Sequence, residues 1–218
     1  MPAQKDIAFE STWIHKLEAE AHWRAYWLQQ KMMHNYLEEG DKILEIGVGS
    51  GFCANYLRSK GYEVVTLDID EEKKPDIVAN ICEYELRNSY DHILAFEVFE
   101  HFPLENLFNV LTMLRNHTEK YLFLSLPESR LITNVNIKIP LLPSVSFSIK
   151  VPNHRLPSFL KKDLSSNKYH HWEINYSKEC SMKKIKDLFL TSGFRILKHC
   201  ASNFNSHNFF VLSNNREE

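Results

Sequence analysis

The residues of this chain that could do chemistry fall into four short clusters. The stretch KILEIGVGSG, residues 42–51, sets Glu45 two positions before Gly47, and Gly49 and Gly51 follow at alternate positions. Glycines let the backbone turn tightly and let a ligand approach the main chain. The order G-x-G-x-G departs from the G-x-G-x-x-G of a dinucleotide turn, because Phe52 stands where the third small residue should be. A carboxylate at this strand end would face a diphosphate with like charge, whereas it suits a ligand that brings an ammonium to the turn. The second cluster is Asp68, nineteen residues past Gly49, placed to accept hydrogen bonds from two ribose hydroxyls. EVFEHF supplies Glu97, Glu100 and His101, and YHHWE supplies His170, His171 and Trp172.

These side chains need a scaffold, and the hydrophobic pattern predicts one. KILEIG, EVVTLDI, DIVANI, YDHILAFEV and KYLFLSL are short apolar runs rich in branched residues, separated by helical patterns. One helix is expected over 51–60 with Gly61 as its stop. Another covers 104–116 with Leu107, Val110, Leu111 and Leu114 inward, and a third lies in SKECSMKKIKDLFLTSGF on Met182, Ile185, Leu188 and Phe189, stopping at Gly193. FRILKHC and NFFVLS close the chain as two more strands. Strands alternating with helices make an α/β protein with a parallel sheet. Upstream, residues 11–37 read as one or two helices carrying Trp13, Trp23, Tyr26 and Trp27, with His22 and His34 among them. Residues 128–172, broken by Pro140, Pro143, Pro152 and Pro157, fit no simple crossover and read as a lid or binding insertion.

Composition narrows the partners. With 218 residues, 44% hydrophobic and 25% charged, the chain suits one soluble domain. Its 26 Lys and Arg against 28 Asp and Glu leave no basic field, so nucleic acid is not an expected partner. The start has no basic region followed by an apolar run, and no stretch approaches the ~20 apolar residues of a membrane span, so a cytoplasmic protein is expected. Cys53, Cys82, Cys180 and Cys200 are scattered, as reduced thiols are.

A ligand with an ammonium near the turn and a fixed cation is S-adenosylmethionine. On ILEIGVGSG, VVTLDID and EVFEH the chain resembles the class I S-adenosylmethionine-dependent methyltransferases over residues 40–126, with a similar tail from Lys178. The resemblance implies a Rossmann-like three-layer sandwich, seven strands mostly parallel with an antiparallel last strand, preceded by N-terminal helices. The single domain would divide into an N-terminal helical lid (1–39), a cofactor-binding core (40–127), an insertion after the fifth strand (128–172) and a C-terminal part (173–218).

It also implies roles. Gly47, Gly49 and Gly51 form the cofactor turn, Glu45 meets the amino group, Asp68 the ribose, and Ile69 and Ile81 the adenine. Asn80 stands where the family usually has aspartate. Phe96 and Glu97 flank the methionine end, and S-adenosylhomocysteine is the product. His101 and His171 are candidate bases for an oxygen acceptor, with His170 and Trp172 on the substrate side. The expected partner is a small-molecule acceptor, glycan- or lipid-like ones included, and no metal is assigned. One alternative, similar to the metal-dependent small-RNA 3′-end 2′-O-methyltransferases, has Glu97, Glu100, His101 and His170 or His171 hold Mg or Mn. Another is a cofactor-binding partner subunit without turnover. For the apolar insertion, an extended acceptor, a homodimer contact and a hairpin on the sheet edge all stay open.

Overall fold

Apolar runs buried on both faces become the central strands. The computed structural model describes residues 19–138, 145–164, 167, 169–202 and 206–214. Its strands are β1 (Lys42–Ile46), β2 (Glu63–Asp68), β3 (Ile77–Val78), β4 (Tyr90–Phe96), β5 (Thr118–Pro127), β6 (Arg130–Ile137), β7 (Val145–Pro152), β8 (Arg195–Ala201) and β9 (His207–Ser213). Seven of them form one sheet in the order β3-β2-β1-β4-β5-β9-β8. The first five in that order are parallel, and β9 runs antiparallel between β5 and β8. The mostly parallel sheet with an antiparallel last strand, expected from the resemblance, is therefore present.

Helices α1 (Glu20–Met33), α2 (Phe52–Ser59), α3 (Leu107–His117) and α4 (Met182–Thr191) cover the sheet in two layers. Met32, Met33, Ala54 and Leu57 pack with Ile43, Leu94 and Phe123 on one face. Leu107, Leu111, Ile185 and Phe189 pack with Leu44, Ile93 and Leu124 on the other. Such double coverage explains why the strands read as continuous apolar runs rather than as alternating ones. The four inward residues expected of α3 are its buried ones.

Two expectations change. β3 is only two residues long because it is the sheet edge, so Asn80 falls in the turn that follows it. The helix expected from 104 begins with a 3-10 turn, Leu104–Asn106, and becomes α-helical at Leu107. In α1 the buried residues are Gln29, Met32 and Met33, while Trp23 and Trp27 are half exposed. The aromatic stripe is therefore not the core face. Trp13 lies outside the described residues. Within the insertion, β6 and β7 form an antiparallel ribbon that is a sheet of its own, not an addition to the edge of the large one. No described helix is long and apolar enough to cross a membrane.

Candidate active site

β1 sits between β2 and β4, and the chain leaves β1 and β4 toward opposite sides, which opens a crevice at their C-terminal ends. A cavity of about 1220 Å³ fills it. The two leading glycines of the turn serve different ends there. At Gly47, which lines the cavity, φ is +80° and an added Cβ would lie 2.5 Å from Val98 Cγ2, so a side chain there would collide with the β4 loop. At Gly49, φ is +55° and an added Cβ would meet no protein atom within 4 Å. That position is the one held clear. Gly51 caps the start of α2 and does not line the cavity.

Asp68, expected to face a ribose, first clamps the turn. Its Oδ2 accepts from the Val48 amide at 2.7 Å and its Oδ1 from the Asp70 amide at 2.9 Å. Each carboxylate oxygen has a second lone pair for a ligand. Asp70, which the motif reading passed over, lines the same cavity and has a buried Oδ2 with no hydrogen-bond partner. Ile69 is exposed on the cavity rim, whereas Ile81 is buried beside it. The Asn80 side-chain oxygen accepts the Cys82 amide at 3.1 Å, closing the turn after β3.

Glu45 requires a correction to its assumed charge. It is 4% exposed with an unpartnered Oε2, and burial, partly opposed by a hydrogen bond from Cys53, pushes its carboxyl up to about 8. At neutral pH the group is mostly protonated until a cation arrives beside it.

Glu97, the residue after β4, has a left-handed conformation, φ +56°, which costs energy for a residue with a side chain and marks sites where position matters. Ser125 Oγ donates to its Oε1 at 2.6 Å, and His207 Nε2 lies 3.2 Å from its Oε2. Both partners come from strands distant in sequence, β5 and β9, and no local motif announces them. Glu100, next to Glu97, is fully buried, and neither of its carboxyl oxygens has a hydrogen-bond partner. Burial and the neighbouring Glu97 charge push its carboxyl well above the usual range.

His101 Nδ1 donates to the Tyr169 carbonyl at 2.8 Å, which makes Nε2 the basic nitrogen. Burial lowers its pKa. Its ring stands edge-on to that of His170, with centroids 5.3 Å apart. His170 Nδ1 in turn lies 2.9 Å from Glu173 Oε1. Burial alone would raise the Glu173 pKa, but hydrogen bonds from His170, Lys162 and Ser129 outweigh it and bring the carboxylate down to about 2. Glu173 follows His170 by three residues, and that spacing was the available signal for it. His171 lines the cavity as well, tethered through its amide to the Glu100 carbonyl at 2.8 Å.

Trp172 is not on the substrate side. It is 3% exposed, and its indole N–H donates to the Phe102 carbonyl at 3.1 Å, so it pins the histidine segment to the turn after β4. From the other direction α1 reaches over the glycine turn. Tyr26 Oη lies 3.1 Å from Ser50 Oγ and its ring stacks on Phe52 at 4.5 Å. His22 and Gln29, also on α1, line the cavity with buried, unpartnered polar atoms.

Solved structures share this architecture. Magnesium protoporphyrin IX methyltransferase from Synechocystis PCC 6803 with S-adenosylmethionine bound matches at 15% identity and TM-score 0.58, covering 94% of this chain and 86% of that one. A glycopeptide N-methyltransferase complexed with S-adenosylmethionine matches at 10% identity and TM-score 0.57, covering 86% and 92%. An S-adenosylmethionine-dependent methyltransferase from Clostridium acetobutylicum ATCC 824 matches at 10% identity and TM-score 0.55, covering 91% and 94%. At these identities the likeness is one of fold. No curated protein matches the chain. The sequence pattern of the methyltransferase domain matches residues 21–199, most of the chain, which therefore belongs to the methyltransferase domain family.

Proposed function

We propose that this protein binds S-adenosylmethionine in the β1–β4 crevice and transfers its methyl group to an oxygen of a small acceptor, releasing S-adenosylhomocysteine. The observation that carries the reading is charge. Even with Glu45 and Glu100 kept protonated by burial in the empty site, four further carboxyl groups of the described lining, Asp68, Asp70, Glu83 and Glu97, stand against one lysine, Lys73. A diphosphate would be repelled there, whereas a sulfonium and an ammonium are attracted. Two of the similar structures hold S-adenosylmethionine, and the family is one of methyltransferases, which supports the same ligand here.

That ligand supplies a methyl group on a positively charged sulfur, open to in-line attack. Gly49 leaves room for it, Asp68 takes the ribose, Ile69, Asn80 and Ile81 take the adenine, and Glu45, Phe96 and Glu97 take the methionine end. His101 Nε2 removes the proton of the acceptor hydroxyl as the new C–O bond forms and the C–S bond breaks, with His170 and His171 lining the acceptor side. Holding the two partners in line and excluding water supplies most of the rate.

Two measurements test the cofactor. Asp68→Ala should weaken S-adenosylmethionine binding by about 1–3 kcal/mol, and unchanged affinity by calorimetry removes Asp68 from the site. Glu45 predicts a proton balance. Its carboxyl is raised to about 8 in the empty site, and an ammonium beside it favours the ionised form, so binding should expel the proton. Titrations at about pH 7 in two buffers of different ionisation enthalpy should show release approaching one proton, lost in Glu45→Gln. Affinity should rise as the pH goes from about 6 toward 8. No buffer dependence in the wild type would place the amino group elsewhere. S-adenosylhomocysteine formed with added acceptors separates an enzyme from a binding-only subunit.

A second reading keeps a metal. Glu100, His101 and His170 each place one ligand atom within 4.8 Å of the others, and the Glu100 oxygens are buried without partners. Glu97, the fourth candidate, is instead held by Ser125 and His207. Activity that disappears on chelation and returns with Mn or Mg would favour this variant, and indifference to chelator would end it.

A further inference from the structure

The insertion has a charge and surface pattern that methyl transfer does not use. From residue 129 to 162 the sequence holds four lysines and two arginines and no aspartate or glutamate. The rest of the chain therefore keeps all 28 acidic residues and only 20 of the 26 basic ones. Arg130 is buried against Glu128, and Lys162 is committed to Glu173. Lys138, Lys150, Arg155 and Lys161 are exposed.

The same segment exposes apolar side chains. Pairing of Leu131 with Val151 and of Thr133 with Ile149, together with the alternation of a strand, puts residues 131, 133, 135, 137, 149 and 151 on one face of the β6–β7 ribbon. Five of those six are aliphatic. Ile137 and Ile149 are 45% and 50% exposed. Lys150, paired with Ile132, belongs to the other face. Beyond the ribbon, in the 3-10 turn Ser158–Leu160, Phe159 is 82% exposed, directly before Lys161 and Lys162. A two-stranded ribbon that, among the described residues, pairs with no other sheet has little stability of its own in water, and an apolar face of this kind needs a cover.

We propose that the insertion docks on an anionic lipid surface, with the apolar face of the ribbon and Phe159 entering the headgroup boundary and Lys138, Lys150, Arg155 and Lys161 meeting the lipid charge. Charge decides between the available covers. A second copy would bring the same acid-free segment and set like charges together. A nucleic acid has phosphates for the cations but nothing for the aliphatic face. A bilayer with acidic headgroups satisfies both, with lysine stems lying along the apolar layer and their ammonium groups at the phosphates. The ribbon follows β5, and Ser125 near the end of that strand lines the cavity. Docking needs no cofactor and stands whether or not the methyl-transfer reading does.

The test is co-sedimentation of the full chain with sucrose-loaded vesicles. One set is phosphatidylcholine alone, and the other contains about 30% phosphatidylglycerol, both at about 0.1 M salt. The expected result is capture by the acidic vesicles only, weakening as salt is raised. The triple variant Lys138→Glu, Lys150→Glu, Lys161→Glu should lose roughly a hundredfold or more in partition. The pair Ile149→Ser, Phe159→Ser should also lose capture while keeping the wild-type circular dichroism spectrum and melting temperature. No capture by acidic vesicles, or equal capture by both sets, overturns the proposal. So does a dimer that Ile149→Ser converts to monomer in a chain that ignores vesicles.

Discussion

Replacing His101 with alanine should leave S-adenosylmethionine affinity within about twofold and slow methyl transfer to a hydroxyl acceptor by roughly 10²–10⁴-fold, the range for loss of a positioned base. The Tyr169 carbonyl can only accept, so Nδ1 carries the proton and Nε2 is left as the basic nitrogen, in a ring that burial keeps neutral. The neighbouring His170, tied to an ionised Glu173, steadies the pair. Glu173→Gln retains the hydrogen-bonding shape without the charge and should slow transfer less than His101→Ala does. Separate measurement of binding and of single-turnover rate distinguishes these outcomes. A His101→Ala enzyme with an unaltered single-turnover rate would show that the acceptor needs no base from this residue.

The second large effect is expected at Gly47. Alanine there meets two penalties, the left-handed backbone at φ +80° and the overlap with Val98 Cγ2. Together they should cost about 2–4 kcal/mol of stability. The two can be separated. Adding Val98→Ala removes the overlap and should return part of the loss, leaving the backbone penalty in place, and denaturant titration of the two single variants and the double variant reads the coupling. If Gly47→Ala unfolds at the wild-type denaturant concentration, the turn is not built as described. Gly49→Ala is the useful contrast, because an added Cβ there meets no protein atom. Its cost to the empty protein is backbone strain only, and its main effect should fall on ligand binding.

Much of the scaffold was legible because burial writes itself into sequence. Ile43, Leu44, Ile93, Leu94, Leu122 and Phe123 form unbroken apolar runs since both sheet faces are covered, and α3 shows its inner face at Leu107, Val110, Leu111 and Leu114. The glycine turn and Asp68 were legible because their chemistry is local. What was hidden depends on partners far along the chain. Glu97 is held by Ser125 and His207, and neither follows from the EVFEHF motif. The Glu45 charge state is a product of three-dimensional burial, and spacing gives no sign of it. Trp172 reads the same in sequence whether it faces a ligand or a core, and only the packing against Phe102 decides. The ribbon was hidden for a different reason: strand pairing without a third partner leaves no uniform burial pattern.

The contact of α1 with the glycine turn has a kinetic consequence. Tyr26 bridges to Ser50 and stacks on Phe52, so the helix lies across the threshold by which a molecule seated at Gly49 would come and go. On the proposed reading, exchange of spent for fresh cosubstrate would part that stack, so turnover is expected to depend on the movement of this helix as well as on bond making.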